Sequence, residues 1–244
     1  WSIFSFLMPG YLPSYKSFCS RFEKPIVQEE DQTAVRRLNQ LTGPFILRRM
    51  KSDVLKELPP KTENVYRIEL EEEQRKLYLA AVVDAREKLQ AAKPEDKMAV
   101  FAVLMRLREI CCDPRLIADN WEGGSAKLDA CAELVSSAVE GGHRILLFSQ
   151  FTSMLELLAK RLDAEGISHF TLQGSTPKPV RAELVRRFNG GEVSVFLISL
   201  RAGGTGLNLT AADIVIHYDP WWNVAAQNQA TDRAYRIGQQ NPVQ

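Results

Sequence analysis

Apolar residues in this chain of 244 residues recur with two different periods, and the change between them divides the chain. From Glu71 to Ala92 they fall every three or four positions, at Leu77, Ala81, Val82, Ala85 and Leu89. The same period returns from Glu95 to Cys111, at Met98, Val100 to Leu104, Leu107 and Ile110. That spacing lines one face of a helix. Pro94 parts the two helices and Pro114 stops the second, so the segment predicts an antiparallel helical pair of the kind inserted into larger domains.

After Ser125, a suitable N-cap, short apolar runs alternate with helical stripes. Leu128, Cys131, Val135 and Val139 mark a helix before a strand at Arg144 to Phe148. A helix at Met154 to Leu162 precedes a strand at Ile167 to Leu172, and a helix at Val180 to Phe188 precedes a strand at Val193 to Ile198. Ile214 to Ile216 is a further apolar run. Strict alternation with short connections predicts an α/β domain, a parallel sheet with helices on both faces. Such sheets hold ligands beyond the carboxyl ends of their strands. Three polar or glycine-bearing loops fall there: Ser149-Gln150-Phe151-Thr152, Gln173-Gly174-Ser175-Thr176, and Ser199 to Gly206.

Ahead of the helical pair the patterns are weaker. Trp1 to Leu7 is an apolar run with neither a start methionine nor a leading cap, and is expected to be cut from something longer. Pro9-Gly10 and Pro13 break it, and Tyr15 to Phe22 predicts a short helix. Phe45 to Lys61 sets Leu47, Val54, Leu55 and Leu58 among basic residues and ends at Pro59-Pro60, which reads as a linker. Val65, Arg67 and Glu69 alternate with Tyr66, Ile68 and Leu70, predicting a short lead-in strand.

Candidate chemistry concentrates between Ser199 and Gln240. In Arg201-Ala-Gly-Gly-Thr-Gly206 the glycines permit close backbone approach and Thr205 adds a hydroxyl, a composition suited to phosphate. Asp219-Pro220-Trp221-Trp222-Asn223 follows the last apolar run. Gln227 to Gln239 predicts a helix whose spacing puts Gln229, Arg233 and Arg236 on one face.

These stretches, in this order, resemble motifs V and VI of the Swi/Snf-like DNA translocases, a branch of the superfamily-two helicases. Ile145-Leu-Leu-Phe-Ser-Gln-Phe-Thr152 resembles motif IV, and Gly174 to Asn189 resembles the segment after it, with Gln173 where the family usually has Asp. Leu47-Arg-Arg-Met-Lys51 through Leu58-Pro-Pro-Lys61 resembles the family's interlobe signature, so the likeness runs from Trp1 to Gln240. It implies residues 1–61 as the end of a first RecA-like lobe, a helical protrusion and a basic linker. Residues 62–124 would be a lead-in strand and helical insertion, and residues 125–244 the second RecA-like lobe. It further implies ATP with Mg2+, held mainly by the first lobe of the same polypeptide, and double-stranded DNA as partner. Arg233 and Arg236 would be solvent-exposed arginine fingers. Gly204, Gly206 and Gln229 would lie at the nucleotide. Ser149, Gln150, Gly174, Ser175, Thr176, Thr205, Trp221, Trp222 and Asn223 would lie along the DNA, with one tryptophan packed into the lobe and the other near the groove or bracing the motif VI helix.

Composition adjusts this picture in a few places. Net charge is only +1, but Arg36 to Lys61 holds seven basic residues against two acidic, a patch suited to a polyanion or to a solvated linker, with Arg48, Arg49 and Lys51 at its centre. Neither Gly-x-x-x-x-Gly-Lys-Thr nor Asp-Glu-x-His occurs, so these residues are not expected to hydrolyse ATP alone. A non-catalytic DNA-binding or docking module therefore remains the alternative. A dinucleotide-binding enzyme is excluded, because Gly204-x-Gly206 is followed three residues later by Leu209. Cys19, Cys111, Cys112 and Cys131 include no Cys-x-x-Cys pair and read as buried thiols; His143, His169 and His217 are scattered and read as structural, so no metal site is expected. No membrane span or signal peptide is recognisable, which points to a cytoplasmic protein, or a nuclear one in a eukaryote.

Overall fold

The computed structural model describes residues 1–47, 59–91, 97–203 and 206–244. Arg48, Arg49, Lys51, Gly204 and Thr205 lie outside them. The chain divides into two compact units, Trp1–Lys56 and Glu57–Gln244.

The first unit is helical: α1 (Ser2–Leu7), α2 (Tyr15–Phe18), a π-turn (Cys19–Glu23), α3 (Lys24–Gln28) and α4 (Gln32–Thr42). Asp31 caps α4, its carboxylate accepting from the Thr33 N–H at 2.7 Å. An aromatic triad holds the ends together. Tyr11 packs edge-on to Phe45 at 5.2 Å and stacks on Phe4 at 6.1 Å, while its hydroxyl donates to the Leu41 carbonyl at 2.9 Å.

The second unit opens with the helical pair, α5 (Glu72–Ala91) and α6 (Lys97–Cys112), and continues with α7 (Ala126–Glu140). Then come β1 (Ile145–Ser149), α8 (Thr152–Ala164), β2 (His169–Leu172), α9 (Lys178–Asn189), β3 (Val195–Ser199), the single turn α10 (Leu200–Gly203), β4 (Ile214–His217) and α11 (Val224–Thr231). All four strands are parallel, in the order β2-β3-β1-β4. Every residue of β1 and β3 is buried, as a sheet covered on both faces requires. Odd positions of β1 and β3, Ile145, Leu147, Val195 and Leu197, pack with Val135, Leu155 and Leu158 of α7 and α8. Even positions, Leu146, Phe148, Phe196 and Ile198, pack on the other face with Phe188, Leu207, Leu209 and Ala230. The fold is therefore RecA-like, as expected.

Two local expectations are corrected. Val65 to Leu70 forms no strand; Val65 and Tyr66 are 84% and 68% exposed. The place it would take is filled by the C-terminal residues. Gln244 accepts from the Val215 N–H at 2.7 Å and donates to the Asp213 carbonyl at 2.9 Å, and Val243 is bridged on its far side to Pro60 and Thr62. Ser125 precedes α7 but gives it no side-chain cap, because its hydroxyl donates to the Cys112 carbonyl at 3.2 Å. His143 has a structural partner in Asp213, 70 residues away, whose carboxylate lies 2.8 Å from its Nδ1.

Of the four cysteines read as buried thiols, Cys112 and Cys131 are buried, whereas Cys19 and Cys111 are only half-buried. Burial pushes Cys112 and Cys131 up to about 12, so both stay protonated. His217 is half-buried at the end of β4, its Nε2 2.9 Å from Thr231 Oγ1 and its ring stacked on Phe148. Burial first, then the Lys61 ammonium, pull its pKa down to about 4. The folded state thus prefers neutral His217, a preference present above pH 6.5 and lost as pH falls toward 4, worth about 3 kcal/mol at most. Urea unfolding between pH 7.5 and pH 4.5 should show wild type losing more stability on acidification than His217→Gln; equal losses would contradict this.

Candidate nucleotide and nucleic-acid interface

Because the strands are parallel, their carboxyl ends share one rim, and the loops stand along it in sheet order: 173–176 after β2, 199–203 after β3, 149–152 after β1 and 218–223 after β4. Two polar networks shape it.

The first joins β1 to β4. Tyr218 continues the ladder by donating its N–H to the Phe148 carbonyl at 3.0 Å, which carries Asp219 under the next loop. There the buried carboxylate accepts the Gln150 N–H at 3.1 and 3.2 Å. Burial pushes the Asp219 carboxyl up, and Ser149, the Gln150 N–H, Lys127 and Arg108 oppose that shift. Ser149 is itself buried, its hydroxyl accepting from the Phe151 N–H at 3.1 Å. It shapes the loop and is not an exposed phosphate ligand. Gln150 is half-buried, and its Nε2 has no partner among the described residues.

The second network joins the segment after the glycine loop to the arginine segment. The Leu209 N–H donates to the Arg233 carbonyl at 2.9 Å, Arg236 Nη1 donates to the Leu207 carbonyl at 3.0 Å, and Gln239 Nε2 donates to the carbonyls of Ala212 and Ala234 at 2.7 and 3.2 Å. These bonds correct the expected long helix. Beyond Thr231, where α11 ends, the Arg233 carbonyl accepts from distant Leu209 and the Ala234 carbonyl from nearby Gln239 and the Arg236 N–H, and the chain turns on to Gly238, whose φ is +100°. Gln229, Arg233 and Arg236 consequently do not share a helical face. Gln229 is exposed on α11, Arg233 is only 6% exposed and Arg236 is half-buried, which overturns the expectation of two solvent-exposed arginines. Burial and the nearby Arg236 guanidinium pull Arg233 below its usual range.

The remaining candidates are more open. Gly174 and Ser175 are exposed; Thr176 is half-buried, its hydroxyl oxygen accepting the Gln173 N–H at 3.0 Å. Gly206 has φ +51°, a left-handed geometry that favours glycine. Asn223 is exposed and caps α11, its Oδ1 accepting the Ala226 N–H at 3.2 Å. Neither tryptophan enters the lobe's core, contrary to expectation: Trp221 and Trp222 stack on each other at 4.8 Å, and Trp222 is 50% exposed.

Residues 126–238 match the family model described as helicase conserved C-terminal domain, and residues 1–116 match the SNF2-related domain. The chain belongs to the Swi/Snf-like family. A putative ATP-dependent helicase/translocase of Bacillus subtilis is 40% identical across 100% of this chain and 27% of its own length. An uncharacterized ATP-dependent helicase of Mycoplasma genitalium is 38% identical across 100% of this chain and 23% of its own length. The SWI2/SNF2 ATPase core of Sulfolobus solfataricus, solved in complex with dsDNA, aligns over 100% of this chain and 52% of that one, with 33% identity and a TM-score of 0.67. The chain thus spans about a quarter of the length of these curated relatives.

Two shaping residues in this Swi/Snf-like rim were not singled out as candidates. Asp219 stood in plain sight before Pro220, while Arg108 was hidden in an apolar helical stretch. Asp219→Ala should cost about 1–3 kcal/mol, since it strips the Gln150 N–H of its acceptor, and Asp219→Asn should cost less because an amide oxygen still accepts. Denaturant titration checks this, and equal stability of wild type and Asp219→Ala would contradict it.

Proposed function

We propose that Glu57–Gln244 is the second lobe of an ATP-driven translocase on double-stranded DNA, with the rim facing the phosphate backbone and the arginine segment facing nucleotide held mainly by a first lobe. The observation that carries this reading is the pair of bonds joining Leu207 and Leu209 to Arg236 and Arg233. They tie the segment that follows the glycine loop to both arginine positions. A change of charge at the nucleotide thereby moves the loops that touch DNA.

On this reading Gln150, Gly174, Ser175, Thr176, Thr205 and Asn223 contact phosphates by amide, hydroxyl and backbone N–H groups, with Trp221 and Trp222 beside them. Such contacts carry no base information, so binding is indifferent to sequence. Gly204, Gly206 and Gln229 flank the nucleotide. The residues present fit an anion at Arg236, whose half-buried guanidinium is held by one Nη1 bond to the Leu207 carbonyl and can turn its fork to phosphoryl oxygens. On this reading the carboxylate ligands for Mg2+ belong to the first lobe. Bound ATP supplies the phosphoryl group to be transferred. Arg236 supplies charge to its developing negative oxygens. Buried Arg233 holds the turn that aims Arg236.

In the intact protein, Arg236→Ala should leave ATP and DNA binding nearly unchanged while DNA-stimulated turnover falls by about 10³. Arg236→Lys should recover little, because an ammonium lacks the planar fork. Steady-state ATPase assays with and without duplex check this. Undiminished turnover in Arg236→Ala would leave a docking module as the better reading. Duplex affinity should also fall steeply with salt as phosphate contacts release counterions. An affinity that is flat from low to high salt would contradict phosphate tracking.

A further inference from the structure

Helix α6 is fastened to the lobe at its C-terminal end. The Cys112 carbonyl accepts from the Tyr218 hydroxyl at 2.9 Å and from Ser125 Oγ at 3.2 Å, and the Ile110 carbonyl accepts from buried Gln74 Nε2 at 2.8 Å. Carbonyls that a helix end leaves unpaired are therefore satisfied from three separate elements. Arg108 stands about one turn earlier on this anchored helix. Its Nη2 donates to the Pro220 carbonyl at 2.7 Å and lies 3.9 Å from the Asp219 carboxylate. Its guanidinium stacks over both indole rings, 5.2 Å from the centroid of Trp221 and 4.9 Å from that of Trp222. Phe101, two turns up the same helix, meets the edge of Trp222 at 5.5 Å.

Arg108 Nε is buried without a partner among the described residues. A buried donor left unpaired costs free energy, so the guanidinium's orientation is set by the stack and by Pro220 and not by full satisfaction of its own hydrogens. Asp219, at the other side of the same turn, fixes the Gln150 backbone.

We propose that Arg108 is a positioning residue through which the helical insertion sets the geometry of the rim: anchored α6 holds the Asp219-to-Trp222 turn, and Asp219 passes that placement to Gln150 at the end of β1. The insertion is then a rigid lever on the rim, and whatever binds or displaces the helical pair alters how residues 149–151 and 219–223 are presented. The DNA arm of the test below rests on the proposed function; the positioning role does not.

The test measures amide hydrogen exchange in the intact protein without DNA, together with affinity for a short duplex. Arg108→Ala should speed exchange at 149–151 and 219–223 by about tenfold or more, leaving β3 unchanged. Arg108→Lys, which retains a donor for the Pro220 carbonyl but not the planar stack, should fall between wild type and alanine. It also serves as the readout if the alanine variant does not fold. A residue that merely adds stability would instead speed exchange throughout the sheet. Unchanged exchange at 149–151 in both variants, or acceleration as large in β3 as at the rim, overturns the proposal. Duplex affinity should fall about tenfold in Arg108→Ala. Faster exchange confined to the rim with undiminished duplex affinity upholds Arg108 as a positioning residue and counts against the DNA reading.

Discussion

The parallel pairing of β1 between β3 and β4 is the constraint on which the rest of this molecule depends. It forces every strand to end at the same edge, and burial of β1 and β3 on both faces leaves those strands no freedom to slip, because a shift of one residue would exchange the two cores. The loops at that edge can then be short and polar. Their positions are inherited from the sheet.

Polar groups at the rim meet a second constraint. Once Asp219 and Gln239 are taken out of water, burial penalises each unless it finds partners, and those partners include the Gln150 N–H and the Ala212 carbonyl on neighbouring loops. The outcome is a rim held by side chain to backbone bonds that cross between strand ends. The motif VI segment likewise trades regular helix beyond Thr231 for long-range bonds: the Arg233 carbonyl accepts from Leu209, and Gln239 donates to Ala212, and each of those bonds ties two distant segments together, which a helical bond cannot do.

Much of this was legible in the sequence. The period change at Ser125 and the regular strand spacing gave the α/β sheet, and the three loops fell on one rim as their positions after strands required. What escaped was decided by tertiary competition. The alternation at Val65 to Leu70 is a local pattern that pairs with no strand, and the edge beside β4 is occupied by Gln244. The spacing of Gln229, Arg233 and Arg236 promised one helical face, but hydrogen bonds from residues 20 to 30 positions away ended the helix first. Trp221 and Trp222 looked like core residues by type, yet they lie under an arginine contributed by the insertion. No local pattern around Arg108 announces that contact, since it joins residues more than 100 positions apart.

The central claim is that the carboxyl rim, and no other edge of the sheet, lies against the DNA backbone. Photocrosslinking to duplex DNA in the intact protein tests it most directly, with a photoactivatable side chain placed at exposed Ser175 on the rim or at exposed Glu140, at the end of α7 just ahead of β1. The account predicts a crosslink from position 175 that is independent of duplex sequence and lost at high salt, and none from position 140. Equal crosslinking from both positions, or crosslinking from 140 alone, would contradict it.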